Sequence, residues 1–372
     1  MSLEQERVGH KNHTYYFDNI DILRAFAAIS VMVYHCIAHF NWTTFPTSWP
    51  LCWFHYGWMG VDIFFVISGF VITLSAFNKL DKNDPQPFFI SFMKRRLLRI
   101  VPLHYLTMLV FVVFVTPALL FEDFRNNLIT HILFIHNLFL KYQGSINGSN
   151  WSLGAEMQFY VVIAITARWL SKIEWWKILV IVLTISFIWR CGVVYFISLD
   201  QDMGTYKMFV AATQLPGMLD EFGVGVLLAR LIKTDIGQNL ISGRKNYVVI
   251  FFLSSCALIF VTLQIYLRHG SYWDYPLIVI FFRTLLAVTV GIILLFLCSL
   301  KIRPIIRKVL LPFYYLGTIS YGIYLWHLPV IMSVKRIEWL PKETAFFTVV
   351  TITLVFASGS WYFYERHFLR RR

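Results

Sequence analysis

The chain is short of charge. Only 14% of its 372 residues are Asp, Glu, Lys or Arg, where soluble domains carry about 25%. With 58% hydrophobic residues and a mean hydropathy of +0.63, this shortage excludes a large soluble core and predicts a polytopic membrane protein. Acidic residues are the scarcer sign, 20 against 33 basic, for a net charge of +13. Such a balance can mark a nucleic-acid binder, but no soluble stretch is long enough to form a basic domain. No nucleic acid is expected, and the excess reads as flanking charge that sets membrane orientation. The five cysteines include no CxxC pair, and all but Cys52 lie in or beside apolar runs. They behave there as small hydrophobes and identify no redox compartment. A cleavable signal peptide is not expected, because the first 20 residues are polar and the next run holds Asp21 and Arg24. The sequence shows no internal repeat or low-complexity tract, and an appended soluble domain is not expected.

What is present is a succession of apolar runs. Spans of about 20 residues fall near 20–40, 57–77, 98–118, 151–170, 177–197, 208–232, 247–267, 275–299, 310–334 and 344–364. A shorter run, Leu128 to Leu140, reads as re-entrant or interfacial, and as an eleventh span if it crosses. With ten spans and a cytoplasmic N-terminus, 23 basic residues lie inside, seven outside, and three (Arg24, Arg190, Arg283) within spans. The expected architecture is therefore all-α, with about ten transmembrane helices and both termini cytoplasmic. Residues 1–19 form an N-terminal tail, 20–365 the membrane domain and 366–372 a basic tail.

The first span carries the clearest signal. Arg24 and His35 are eleven residues apart, about three helical turns, so they share a face roughly 16 Å apart along the axis. Charged and titratable groups at membrane depth face a protein interior or a water-filled cavity. At the mouth of the third span, KRRLLR (94–99) places Arg95, Arg96 and Arg99 together. These are either an orientation anchor or a clamp for a phosphorylated cytoplasmic donor, since the guanidinium fork matches phosphate geometry. Asp62 in GVDIFFVISGF needs a partner at its depth. Glu156 in NWSLGAEMQFY is expected at about the depth of Asp62. It would orient an imidazole, bind a sugar hydroxyl, or pair with Arg190 or Arg283. Asp220 and Glu221 fall mid-span. His327 alone reads as a hydrogen-bonded packing residue. His35 and His39 at i, i+4 lack a third ligand, so no metal is expected. The resulting polar seam fits two classes: a proton-coupled transporter, or an enzyme taking a charged donor from inside and an acceptor from outside.

The motifs in order separate these classes. IDILRAFAAISVMVYH, GVDIFFVISGFVIT, KRRLLRIVP, NWSLGAEMQFY, LDEFGVGVLLA and LGTISYGIYLWHLPV together resemble the acyltransferase-3 family of integral-membrane enzymes that O-acylate surface glycans. The resemblance implies His35 as the catalytic histidine, with Arg24, Asp62 and Glu156 beside it and Arg95, Arg96 and Arg99 on acyl-CoA. Where the family has a second glutamate after Glu156, this chain has Met157. No SGNH-type esterase domain is expected, so transfer would be completed by the chain itself or with a partner. Acetyl-CoA is the expected donor. The expected acceptor is an O-antigen or exopolysaccharide hydroxyl, with peptidoglycan open, and the expected site is the inner membrane.

Overall fold

The computed structural model describes residues 17–80, 87–198, 204–269 and 272–370. The expected N-terminal tail up to residue 16, Pro85 and Gln86 of the short proline loop, and Arg371 and Arg372 lie outside the described residues. Among the described residues there is helix and no strand. The order is α1 (Ile20–His39), a 3₁₀ segment (Leu51–Met59), α2 (Gly60–Leu80), α3 (Phe88–Val110), α4 (Phe124–Ile132), α5 (Trp151–Leu170) and α6 (Trp175–Ser198). It continues with α7 (Thr205–Ala212), α8 (Leu219–Leu231), α9 (Asp235–Leu240), α10 (Lys245–Arg268), α11 (Pro276–Ser299) and α12 (Pro304–Val309). The chain ends with α13 (Leu311–Thr318), α14 (Ser320–Val334), α15 (Lys342–Ser360) and α16 (Arg366–Arg370).

Among the described residues, seven helical segments are long and apolar enough to cross a membrane. The other three expected windows hold helix of a different kind. α5 carries Glu156 and Arg168 along its 20 residues. The 208–232 window is broken at Leu215–Met218, which contains Pro216, into α7 and α8. The 310–334 window is broken at Ile319 into α13 and α14. Irregular backbone within a membrane bundle is tolerated where it is buried in protein or lines a cavity. The Leu128–Leu140 run contains the end of the nine-residue α4 and then turns; nine residues rise about 14 Å, too little to cross.

The bundle is fastened at its centre by α2 and α8. A methyl group added at Gly69 would meet the Phe222 carbonyl, and one at Gly225 would meet the Val66 carbonyl. The two helices therefore touch backbone to backbone, as small residues allow in membranes. Around this contact Phe65, Phe222 and Phe159 stack at centroid distances of 4.4 and 4.3 Å. Gly69→Val is expected to destabilise the bundle by at least the 1–3 kcal/mol typical of overpacking. Thermal unfolding of the detergent-solubilised protein checks this, and an unchanged midpoint would refute the close contact.

The 118–150 segment folds back into the bundle. Asn147 donates to the Leu325 carbonyl at 3.0 Å. That carbonyl lies four residues before Pro329, which has no N–H to offer it. His131 and His136 stack at 4.1 Å and 7°, with His104 of α3 beyond them, and all three are buried. At the exposed tip, Lys141 and then Tyr142 donate to Asp123 at 2.6 Å each and hold its carboxyl below the usual carboxylate range.

Candidate active site

Arg24 and His35 share one face of α1, and that face borders two cavities. The cavity nearer the basic end encloses about 120 Å³ and is lined by Arg24, Ser68, Arg96, Arg99, Glu156 and Tyr321 among others. The second encloses about 590 Å³ and is lined by His35, His39, Asp62, Arg283 and an aromatic wall including Trp58, Trp151, Tyr266 and Trp273. Val61 and Tyr324 line both cavities and form the wall between them. The Tyr324 hydroxyl donates to the Ser149 carbonyl and accepts from Ser152 Oγ, both at 2.7 Å.

In the smaller cavity, Arg24 is held by Asp21 one turn earlier at 2.8 Å. Arg96 donates to Ser75 Oγ at 2.8 Å and lies 5.4 Å from the Phe92 ring. The helical spacing puts Arg96 and Arg99 on one face, while Arg95 is not among the lining residues. Two of the three expected arginines thus reach this cavity. Tyr321 donates to the Ile100 carbonyl at 2.7 Å, tying α14 to α3 where Arg99 enters.

Glu156 departs from its expected depth. It accepts from Ser68 Oγ at 2.6 Å and from the Tyr160 hydroxyl at 2.7 Å. Ser68 lies six residues beyond Asp62, about 9 Å further along α2. The reason is that α5 begins deep. The folded-back 118–150 segment brings Trp151 against Phe65 and Ser152 against Tyr324. Glu156 therefore faces the arginines of the smaller cavity and pairs with neither Arg190 nor Arg283.

Those arginines have other partners. Arg283 pairs with Asp62 and lies 3.4 Å from Glu221, with its guanidinium 5.2 Å from the Trp58 ring. Arg190 pairs with Asp220, which also accepts from Thr284. Asp62 does line the larger cavity, but its bond is an ion pair spanning α2 and α11. Among the described residues, no three His, Cys, Asp or Glu side chains are grouped to hold a metal.

His35 is the best placed of the titratable groups. Its Nδ1 lies 2.9 Å from Nε2 of His327 on α14, and the rings are 5.0 Å apart at 22°. His327 is fully buried. The sequence had pointed to His327 only as a packing residue; the signal available was a second in-span histidine among tyrosines in SYGIYLWHLP.

An all-helical bundle with seven long apolar helices among the described residues, one cavity lined by arginines and an adjoining one lined by His35 defines a polytopic membrane protein with a polar site inside its bundle. Residues 17–365 match the profile of the acyltransferase-3 family, described as an acyltransferase domain, and the chain belongs to that family. It is 28% identical to YrhL of Bacillus subtilis, a protein provisionally named a peptidoglycan O-acetyltransferase, over 96% of this chain and 56% of that one. It is 25% identical to the O-acetyltransferase OatA of Staphylococcus aureus, over 94% of this chain and 57% of that one. It is also 25% identical to the peptidoglycan O-acetyltransferase OatA of Listeria monocytogenes, over 94% and 55%. The chain thus spans a little over half the length of these relatives. No solved structure matches.

Proposed function

We propose that this chain is an inner-membrane O-acyltransferase that carries acetyl groups from cytoplasmic acetyl-CoA to a hydroxyl of an envelope glycan. The observation that carries the reading is the pair of cavities meeting at Tyr324 and Val61, with arginines on one side and His35 on the other. Arg96 and Arg99 suit the donor's phosphates, and the narrow cavity between them and Tyr324 suits an extended acyl-pantetheine arm rather than a nucleotide. The larger cavity falls in the size range of ligand pockets, and its aromatic wall with scattered polar groups suits a sugar ring. The names of the relatives favour peptidoglycan over O-antigen.

In the reaction, His35 takes the acceptor hydroxyl's proton as that oxygen bonds to the thioester carbonyl carbon. The carbon–sulfur bond then breaks, and the proton returns from His35 to the leaving thiolate. Arg24 lies on the donor side to steady negative charge at the thioester oxygen or the phosphates. Glu156, fixed by Ser68 and Tyr160, borders the donor cavity rather than His35 and so orients the donor arm.

Mass spectrometry and proton NMR of envelope glycans test the reading, comparing cells with and without the chain. Label from acetyl-CoA should appear on a glycan hydroxyl only with the chain; an unlabelled glycan in membranes holding ample folded protein would refute it. Arg99→Ala is expected to raise KM for acetyl-CoA about tenfold with little change in kcat, as loss of a uniform binding contact does. Steady-state kinetics on membrane vesicles check this.

A further inference from the structure

The hydrogen bonds around His327 fix which nitrogen of His35 is free. A neutral imidazole donates through one nitrogen and accepts through the other. His327 Nδ1 lies 3.2 Å from the Ile323 carbonyl, which can only accept, so Nδ1 carries the hydrogen. Its Nε2 therefore holds the lone pair, and that nitrogen lies 2.9 Å from His35 Nδ1. His35 Nδ1 must then be the donor, and the basic lone pair of His35 is on Nε2. The tautomer follows from the network, because one link is a backbone carbonyl within the turn of α14.

We propose that His327 is a positioning residue for acyl transfer, accepting the Nδ1 hydrogen of His35 and so keeping His35 in the tautomer whose Nε2 can take the acceptor's proton. A third group that orients the base is a recurrent part of nucleophile activation. A carboxylate commonly fills that place. Here the bundle puts a neutral imidazole there, consistent with a fully buried position in a membrane, where an added charge is costly. His327 in turn is held against the Tyr324 ring, 5.8 Å away. Tyr324, one of the two residues shared by the cavities, therefore also packs against the support of the base.

The proposal rests on His35 acting as the base, and the test separates the two. Acetyl transfer is measured with His327→Leu, His327→Gln and His327→Asn at matched membrane levels, beside His35→Ala. Glutamine can place an accepting oxygen near the Nε2 position; leucine fills the space without accepting, and asparagine is too short to reach. Leucine is expected to lower kcat on the order of 10–100-fold, as does loss of an outer hydrogen bond to a functional histidine, with KM for acetyl-CoA unchanged. Glutamine is expected to retain activity within about threefold, because it restores the same hydrogen bond. If leucine does not accumulate, asparagine must lose what glutamine retains. Equal activity across the variants, or equal loss in the leucine, asparagine and glutamine variants, overturns the positioning role. Full activity in His35→Ala overturns the underlying assignment instead.

Discussion

His35→Ala is expected to lower acetyl transfer by about 10²–10⁴-fold, the contribution of a positioned general base, while the protein still folds and reaches the membrane. The second half of that expectation follows from where His35 sits. It is half-buried at the wall of a 590 Å³ cavity, so the shortened side chain leaves space that water can enter. Its loss removes the hydrogen bond to His327, a net change of about 1 kcal/mol. Arg24 and the arginines of the other cavity are untouched, so KM for the donor is expected to hold. Radiolabel transfer in vesicles, with the protein quantified in the same membranes, measures both. Retained transfer in a well-populated His35→Ala membrane would remove His35 from the chemistry.

Arg283→Met is expected to cost about 3–5 kcal/mol of stability, the range for removing one partner of a buried ion pair. Arg283 is 2% exposed and sits between Asp62 and Glu221, which are 1% and 0% exposed. Its removal leaves two neighbouring carboxyls without the guanidinium between them, and an ionised carboxylate is costly to bury unpaired. Asp62→Asn is expected to be milder, because Glu221 remains 3.4 Å from the guanidinium and Trp58 still lies under it. Combining the two substitutions should recover part of the Arg283→Met loss, since the Asp62 charge is then gone as well. Unfolding midpoints in detergent order the three variants. An Arg283→Met protein as stable as the parent would show the pair to be dispensable.

Much of this arrangement was legible in the chain. The Arg24–His35 spacing required a shared helix face, and both side chains do line cavities along that face. KRRLLR required a basic mouth, which Arg96 and Arg99 supply. The all-helical class followed from the apolar runs, and the family from six motifs in order. What was not legible depended on how distant segments meet. Glu156 was expected at about the depth of Asp62 because both enter near the same ends of their spans; the folded-back 118–150 segment moves α5 inward by more than a turn. His327 gains its role from a helix some 290 residues away in sequence. Asp62, Asp220 and Glu221 find their cations on α6 and α11, and no local pattern assigns one carboxyl to one arginine.

The wall at Tyr324 has a consequence for the cell as a whole. Water-filled clefts opening on opposite faces would, if joined, short-circuit the ion gradient the membrane exists to hold. About 2.3 kcal/mol per elementary charge is dissipated for every 100 mV such a path discharges. The linings of the two cavities share a phenolic ring latched to Ser149 and Ser152, that of Tyr324, and the Val61 side chain. On the proposed function, a two-carbon fragment would be handed across so thin a barrier without opening a conduit. Under that reading, insulation and delivery would fall to the same side chain.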